Sequence, residues 1–391
     1  MKLLYLAARP PYPPHKGDQL IAWEQIKQLK KRNYRIYFIS FISSSEEEEL
    51  IIRKLSPYCE KIHLLKLTKR TMFTNLFKTL INFKPLQVNM YINRKMKHSV
   101  SNLFSEIQPD IAHIQTLRVA EYFMEREIPK TVDMIDALSL NMFRRSRKEK
   151  VYKKIILLLE HSLLKRYEHH VLNAYNQTFI ISENDKRYLK SDTIEVNPNG
   201  TYITPQYLAK YPTYNKEKII LFHGNMQYYP NIEAAYNFAT KVWPEIHEEY
   251  PDYQFYIVGK DPVKKIKQLN GRDNVVVTGF VEDICEILCK SLIGVYPMMS
   301  GTGMQNKVIE ALSCGLPVIA STLALQGISD INDDEVIKYT TNEELKIHLK
   351  KLMTSKELRD RLSANGQRFL NANYSWESNC EKLVTTWKNI V

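Results

Sequence analysis

The fold is decided by residues 300–320, which read SGTGMQNKVIEALSCGLPVIA. Gly301 and Gly303 predict a tight loop, the residues after them predict a helix, and Gly315 and Pro317 end that helix before a buried strand. The first turn of a helix leaves backbone N–H groups unpaired. We therefore expect the start of this helix to receive a phosphate group.

Two charged residues fall on one face of the predicted helix. At about 100° per residue, Lys307 and Glu310 lie within roughly 40° of Gly303, whereas Val308 and Leu312 point the other way. Glu310 lies about 10 Å along the axis from Gly303, at roughly 1.5 Å per residue. That distance suits a diphosphate at the start of the helix and ribose hydroxyls at the carboxylate. A loop whose glycines serve only the turn is the alternative.

Length and charge bound the remaining possibilities. The 391 residues are 44% hydrophobic and 25% charged, which predicts two globular domains of about 150 to 200 residues. The net charge of +12 favours anionic partners. Five cysteines without a framework spacing predict a reducing compartment. No apolar run reaches the ~20 residues of a membrane span, so we expect a cytoplasmic protein whose contact with the inner face of the membrane, if any, is peripheral.

The stretch around residues 300–320 resembles the donor site of GT-B glycosyltransferases. The closest resemblance is to the large retaining family, usually called family 4, that includes sucrose synthases and many bacterial capsule and lipopolysaccharide enzymes. It covers most of the chain and is strongest between Leu221 and Gly327. Family members usually carry a second glutamate, with seven residues between it and the one that matches Glu310. Here that position is Thr302.

The resemblance implies an α/β protein with two Rossmann-like, doubly wound domains that face a cleft. The turn at residues 197–200 is the predicted linker. We expect an acceptor domain over residues 1–199 and a nucleotide-sugar domain over residues 200–373. Residues 374–391 are predicted to form a helix that crosses back to the N-terminal domain.

The resemblance also implies a donor site in the second domain. A glycine loop follows the predicted strand at residues 218–226, where many family members carry an Arg and a Lys that neutralise the pyrophosphate. Here Asn225 and uncharged neighbours stand there, which leaves Lys307 to stabilise the leaving diphosphate while Glu310 binds the ribose. The predicted donor-binding residues are Gly224, Asn225, Gly301, Thr302, Gly303, Met304, Gln305, Asn306, Lys307 and Glu310.

The acceptor side is predicted in the first domain. The proline-rich loop at residues 10–18 follows the first strand, and such loops lie at the ligand-binding edge of a doubly wound sheet. The resemblance places Lys16 and Gly17 at the cleft, together with Arg118. Asp18 is predicted to cap a helix that follows. A plain connector is the alternative for this loop.

Asp136, His113 and Lys307 are the predicted catalytic residues. Side chains alternate along a strand, so Asp133 and Asp136 cannot both face the same way, and Asp136 is nearer the carboxyl end. The resemblance places Asp136 on the acceptor side, where it would orient or deprotonate the acceptor hydroxyl. A helix N-cap is the alternative for Asp136, and a structural role is the alternative for His113.

Two basic segments raise the question of a membrane. Residues 69–84 are predicted to form one basic amphipathic helix that lies on an anionic membrane or covers the sheet. Residues 141–173 are predicted to form one long helix whose basic face reaches a polyprenyl phosphate, the membrane surface or only solvent. Nucleic acid is not a predicted partner, because no binding motif or interleaved aromatic platform accompanies the charge.

The predicted function is hexosyl transfer from a nucleotide diphosphate sugar to a glycan or polyprenyl-phosphate-linked acceptor, in bacterial capsule, lipopolysaccharide or exopolysaccharide biosynthesis. Retention of configuration is implied by the resemblance. The donor is a substrate, so no cofactor is predicted, and the absence of an Asp-x-Asp motif predicts that no metal is required. The alternatives are a nucleotide-sugar epimerase of the same fold and a non-catalytic binding protein derived from a transferase.

Overall fold

The computed structural model describes residues 1–14, 16–147, 150–211, 215–300 and 304–391. The chain forms two compact units. Unit 1 contains Met1–Asn199 and Trp376–Val391, and unit 2 contains Gly200–Ser375.

Strands and helices alternate along the described residues. The strands are β1 (Lys2–Ala7), β2 (Arg35–Ile42), β3 (Lys61–Lys66), β4 (Ile111–Gln115), β5 (Lys130–Ile135), β6 (Gln177–Ile180), β7 (Ile194–Val196), β8 (Ile219–His223), β9 (Gln254–Val258), β10 (Val275–Gly279), β11 (Ile293–Tyr296), β12 (Val318–Ser321) and β13 (Ile337–Tyr339). The helices are α1 (Gly17–Lys31), α2 (Glu48–Leu55), α3 (Lys69–Leu76), α4 (Thr79–Asn82), α5 (Leu86–Asn89), α6 (Arg94–Ile107), α7 (Leu138–Ser146), α8 (Val151–Ala174), α9 (Glu183–Leu189), α10 (Pro205–Leu208), α11 (Tyr229–Lys241), α12 (Trp243–Glu249), α13 (Lys264–Lys267), α14 (Ile284–Lys290), α15 (Asn306–Ser313), α16 (Thr322–Leu325), α17 (Asn342–Thr354), α18 (Lys356–Asn373) and α19 (Trp376–Ile390).

Each unit contains a parallel sheet whose strand order reverses near the middle. In the described part of unit 1 the order is β3-β2-β1-β4-β5-β6-β7, and in that of unit 2 it is β10-β9-β8-β11-β12-β13. All the strands run parallel, and the side on which successive strands are added to the sheet changes between β1 and β4 in unit 1 and between β8 and β11 in unit 2. The predicted fold class, two doubly wound α/β domains, is confirmed. Ligands bind at the carboxyl ends of the strands at such switch points.

The central strands of unit 1 are buried because helices cover both faces of the sheet. Four consecutive residues of β1, from Leu3 to Leu6, are completely buried, as expected of a central parallel strand. Side chains of α1 cover one face of the unit 1 sheet, and side chains of α6 cover the other. None of the helices in the described ranges is both long and apolar enough to cross a membrane.

The last helix, α19, is part of the core of unit 1. Its Trp387 is fully buried, and the indole N–H donates to Thr131 Oγ1 at 3.0 Å. The indole ring lies 5.7 Å from the ring of Tyr34 and 5.3 Å from that of His113. Residues 376–391 therefore complete a cluster that the first 199 residues leave open on one side.

The start of α1 differs from the prediction. The helix begins at Gly17 after Lys16, which has an extended backbone and makes no side-chain cap. Asp18 lies in the first turn and pairs with Arg9 at 2.8 Å. The predicted cap was wrong because Arg9 binds the carboxylate that would otherwise accept backbone N–H groups.

Two predicted long helices are each divided in two. Residues 69–84 form α3 and α4, and α4 ends at Phe83, which has a left-handed backbone with φ 52°. Residues 141–173 fall in α7 and α8. In unit 2, α11 and α12 are separated only by Val242, and Pro244 lies in the first turn of α12, where a missing N–H is tolerated.

Candidate functional site

The unit 2 switch point brings two predicted donor segments together. β8 and β11 are hydrogen-bonded neighbours, so Gly224 and Asn225, after β8, leave the sheet beside the loop that follows β11. Gly301, Thr302 and Gly303 lie outside the described residues. Among the predicted residues after them, Met304 is partly buried, Gln305 precedes α15, and Asn306 is its first residue.

The donor helix begins later than predicted. Gln305 has a non-helical backbone with φ −91° and ψ 90°, and α15 starts at Asn306. Glu310 therefore lies only about 6 Å along the axis from the first helical residue, at 1.5 Å per residue. The expected rise of about 10 Å assumed a helix that extends from Gly303, and this assumption was wrong because the helix begins only at Asn306.

Glu310 lies at the end of a short hydrogen-bonded chain. Its Oε2 is 3.0 Å from His223 Nε2, and the other ring nitrogen, Nδ1, is 3.0 Å from the hydroxyl of Tyr296. His223 and Tyr296 are the last residues of β8 and β11. The Glu310 side chain keeps 25% exposure. A rigid sheet edge thus holds a partly exposed carboxylate that can accept hydrogen bonds from a ligand.

Lys307 points inward, in contrast to Glu310. Its ammonium group donates to Asn231 Oδ1, lies 3.3 Å from the sulfur of Met298, and sits 5.2 Å from the centre of the Phe222 ring. Asn231 in turn donates to the carbonyl of Asn225 at 3.0 Å. The expectation that Lys307 and Glu310 share one open face was wrong, because Asn231 holds the lysine beneath the surface.

The buried ammonium predicts a pH effect on stability. Burial lowers the pKa of Lys307 to about 8, although Glu310 acts in the opposite direction. The folded-state pKa lies below that of an unfolded lysine, so the unfolded chain holds more protons between about pH 8 and 10.5, and stability should rise with pH across that window. We expect the free energy of unfolding of unit 2 to rise by about 1 to 2 kcal/mol between about pH 7.5 and 9.5 relative to Lys307→Met.

Urea unfolding at both pH values measures this difference. Lys260→Met, at an exposed lysine of the same unit, is the matched control and should follow the wild type. A wild type and Lys307→Met with parallel pH curves would show that the ammonium is not held in its buried position.

Gly224 and Gly259 approach each other closely at the ends of β8 and β9. A Cβ added at Gly259 would lie 1.8 Å from the carbonyl oxygen of Gly224, and one added at Gly224 would lie 2.7 Å from Asn231 Nδ2. Neither position has room for a side chain. The two glycines therefore let Asn231 reach the backbone beside the predicted donor loop.

Gly259→Ala is expected to destabilise unit 2 by about 2 kcal/mol, the usual cost of overpacking a tight site. Gly271→Ala is the control, because its Cβ would meet no atom within 4 Å but its φ is +81°. Thermal unfolding should show a larger loss for Gly259→Ala. An equal loss in both variants would show that backbone strain, and not the contact with the Gly224 carbonyl, causes the effect.

In unit 1, the predicted acceptor residues gather at the carboxyl edge of the sheet. Gln115, the last residue of β4, donates through its side chain to the carbonyl of Asp18 at 2.8 Å. This bond brings the exposed Lys16 and Gly17, at the start of α1, to the same edge. A Cβ on Gly17 would meet nothing within 4 Å, so packing does not require glycine there.

Asp136 and Arg118 lie close enough for their charges to interact. Burial raises the pKa of Asp136, while Arg118 and Arg144 act to lower it. Ile135, directly before Asp136, has φ 69°, a strained conformation for a β-branched residue. The alternative that Asp136 caps a helix is wrong, because Ala137 occupies the cap position of α7 and no side chain caps it.

His113 does not reach the surface of unit 1. Its ring is fully buried and packs against the rings of Tyr5, Phe179 and Trp387. Nδ1 is 2.8 Å from Thr131 Oγ1, and burial lowers the pKa of the ring to about 3. The predicted catalytic role, which needs contact with a substrate, is wrong, because the side chain points into the sheet-helix core.

Asp133 is a buried carboxyl group that the sequence left without a role. It accepts from Gln25 Nε2 at 3.3 Å and from the backbone of Ile135 at 3.1 Å. Burial raises its pKa to about 7. Along the described parts of the chain, no three His, Cys, Asp or Glu side chains are grouped so that they could hold a metal ion.

Comparisons with known proteins show which sequences and folds this chain is similar to. Residues 217–355 match the family described as "Glycosyl transferases group 1". An uncharacterised 44.6 kDa protein of the cps region of Klebsiella pneumoniae is 23% identical over 354 residues, which are 86% of this chain and 87% of the relative.

Solved structures share the fold at low identity. A glycosyltransferase from Rickettsia africae has a TM-score of 0.63 and 14% identity, with 99% of this chain and 98% of that chain covered. HepE from Anabaena, in complex with UDP, has a TM-score of 0.61 and 12% identity, with both chains covered completely. HepE has also been solved with UDP-glucose. Residues 217–355 thus carry a glycosyltransferase group 1 domain, and the chain has the fold of GT-B glycosyltransferases.

Proposed function

We propose that this protein transfers a hexosyl group from a nucleotide diphosphate sugar to a glycan or polyprenyl-phosphate-linked acceptor, with retention and without a metal. The group 1 match and the GT-B fold support glycosyltransferase activity. The similarity to a cps-region protein supports a role in capsule or another bacterial surface polysaccharide. We place the reaction in the cytoplasm, at the inner face of the membrane.

The observation that carries the proposal is the pairing of Glu310 with His223 at the unit 2 switch point. In this proposal the ribose hydroxyls donate to the Glu310 carboxylate. We propose that the phosphates are bound by residues from Gly301 to Gln305, of which the first three lie outside the described part of the chain, and by the first turn of α15, which begins at Asn306. Gly224 and Asn225 line the same edge. The HepE complexes make UDP-sugars the first donors to test.

We propose that Lys307 stabilises the leaving diphosphate through its positive charge. Stabilising charge that develops in the transition state is usually the largest catalytic contribution, about 3 to 4 kcal/mol for one good donor. The ammonium is bound to Asn231, which also contacts the backbone of Asn225. A buried charge acts more strongly at short range than an exposed one, because less water screens it.

Unit 1 supplies the acceptor-binding groups in this proposal. Lys16, Gly17 and Arg118 would bind the acceptor, and Asp136 would orient or deprotonate its hydroxyl. A carboxyl group with a raised pKa is a better base near neutral pH than an ordinary one, and the pKa of Asp136 is raised.

The test is release of nucleotide diphosphate from a panel of UDP-, GDP-, ADP- and dTDP-sugars, with and without a membrane lipid extract. Acceptor-dependent release identifies the transferase and its donor. Conversion of the sugar to an epimer without any acceptor would favour the epimerase. Donor binding without turnover in any mixture would favour the non-catalytic binding protein.

A further inference from the structure

Two segments of unit 1 that are distant in sequence carry exposed apolar side chains and meet at an apolar cavity. The first segment contains α3 and α4, and the second is the first half of α8. We call this the α3–α8 surface. Its apolar side chains are between 56% and 82% exposed, and they are Phe73, Phe77, Ile81, Phe83, Val151, Tyr152, Ile155, Ile156 and Leu159. Exposed apolar groups clustered in this way mark interaction surfaces.

An apolar cavity of about 300 Å³ lies where the two segments meet. α3 lines it with Phe73 and Leu76, the next residue, Phe77, also lines it, and α8 contributes Ile156, Leu159 and Leu163. Such a cavity is large enough to take up part of an extended hydrocarbon chain.

Hydrogen bonds hold α8 against the residues that follow the first segment. The carboxylate of Glu160, on α8, accepts hydrogen bonds from the backbone of Leu86 at 2.8 Å and of Gln87 at 3.1 Å. These are the first two residues of α5, which follows α4. These hydrogen bonds fix the position of α8 next to the residues that follow α4.

The charge of the two segments is mainly positive. Residues 69–84 contain no Asp or Glu, and their four cations are Lys69, Arg70, Lys78 and Lys84. Residues 150–166 contain one acid, the buried Glu160, and five cations, Lys150, Lys153, Lys154, Lys165 and Arg166. Exposed apolar groups surrounded by lysine and arginine are typical of proteins that lie on anionic bilayers.

A basic cavity lies on the other side of α4. Its volume is about 580 Å³, and Lys78 and Asn82 line it. Its other charged residues are Lys84, Arg94, Lys97 and Arg126, with the acids Glu121 and Glu125; Glu121 is paired with Lys84. Lys78 of the basic cavity follows Phe77 of the apolar cavity in the sequence. A lipid tail would suit the apolar cavity, and a lipid headgroup would suit the basic one.

We propose that the α3–α8 surface docks unit 1 on the surface of an anionic phospholipid membrane. Its aromatic and aliphatic side chains enter the boundary of the acyl layer, and its cations bind the headgroup phosphates. The inference deepens the proposed function, since a polyprenyl-linked acceptor resides in such a membrane. Binding to vesicles needs no donor or acceptor, however, so it is measured independently of transfer.

Flotation of the full chain with vesicles tests the proposal. The vesicles are phosphatidylcholine alone, or phosphatidylcholine with phosphatidylglycerol, at low and physiological salt. We expect binding to the anionic vesicles that weakens as salt rises. The triple variant Lys69→Gln, Lys78→Gln, Lys154→Gln should bind about 100-fold more weakly, since each cation near an anionic surface contributes about 1 kcal/mol, or about fivefold.

A second triple variant, Phe73→Ser, Ile81→Ser, Ile155→Ser, removes apolar groups that are exposed in the folded protein and should lose at least about tenfold in vesicle affinity. The matched control, Leu50→Ser, Ile52→Ser, Ile347→Ser, changes exposed helical positions elsewhere and should bind like the wild type. Thermal unfolding checks that the variants stay folded.

Three outcomes would overturn the proposal. They are a wild type that does not float, a serine variant at the α3–α8 surface that floats as well as its control, and a wild type that self-associates through this surface without binding vesicles. A protein that floats but transfers no sugar would keep this inference and lose the proposed function. A protein that transfers sugar but does not float would keep the proposed function and lose this inference.

Discussion

Glu310→Ala is expected to weaken the binding of nucleotide diphosphate by about 100-fold and to reduce sugar transfer at least as much. Two ribose hydroxyls donating to one carboxylate would form charge-assisted hydrogen bonds, each contributing about 1.5 to 3 kcal/mol. Losing about 3 kcal/mol of binding free energy corresponds to roughly a 100-fold rise in Kd. The variant also leaves His223 without the partner that now lies 3.0 Å from its Nε2.

Titration calorimetry with UDP and the other nucleoside diphosphates measures the change. Glu310→Gln keeps the shape but not the charge and should fall between the wild type and the alanine variant. Glu357→Gln, at an exposed glutamate of the same unit, is the matched control. Unchanged affinity in Glu310→Ala, in a protein that still unfolds at the wild-type temperature, would remove Glu310 from the donor site.

Trp387→Ala is expected to lower the free energy of unfolding of unit 1 by about 3 to 5 kcal/mol, the range for deleting a large buried aromatic side chain. The indole is fully enclosed and packs between the rings of Tyr34 and His113. Its loss would leave a cavity and free Thr131 Oγ1 from the indole N–H. Since typical domains are stable by only about 5 to 15 kcal/mol, this single change can leave unit 1 partly unfolded.

Hydrogen exchange followed by mass spectrometry assigns the loss to peptides of unit 1. Trp387→Phe should cost less, because the ring is retained and only part of the volume and the N–H donor are removed. Thr385→Ala, at an exposed position on the same helix, should have little effect. If peptides of unit 1 exchange at the wild-type rate in Trp387→Ala, the helix does not complete that core in solution.

Most of the fold could be predicted from the sequence because the central strands are long apolar runs between loops. Strands such as Arg35–Ile42 are buried on both faces, and alternation with helices then dictates a parallel sheet. The edge strands Ile194–Val196 and Ile337–Tyr339 were missed. Each is three residues long and partly exposed, so no periodic pattern distinguishes it from a loop.

The candidate site was harder to predict, because a helical pattern gives the angle of a side chain but not its depth. Lys307 and Glu310 do lie on neighbouring sides of α15, yet only Glu310 remains open. Asn231 decides that difference, and it lies 76 positions from Lys307 along the chain. His223 is 87 positions from Glu310. Their pairing follows from the order of the strands, which sequence spacing alone does not reveal.

His113 and Asp133 show the same limitation in unit 1. Both stand on central strands, where a polar residue suggests a function. The structure places both in the core, where Thr131 and Gln25 supply hydrogen bonds. Asp133 is buried and Asp136 is partly exposed, as expected, but alternation along the strand is not the reason, because β5 ends at Ile135, whose φ is 69°.

The division of unit 1 into two stretches of chain has a consequence during synthesis on the ribosome. Residues 200–375 are translated before α19, and at about 5 to 20 residues per second they take roughly 10 to 35 s. For that interval the nascent chain displays the apolar slot that will receive Leu383 and Trp387. A chaperone that covers this slot is therefore expected to raise the yield of the protein, and slower translation without one to lower it.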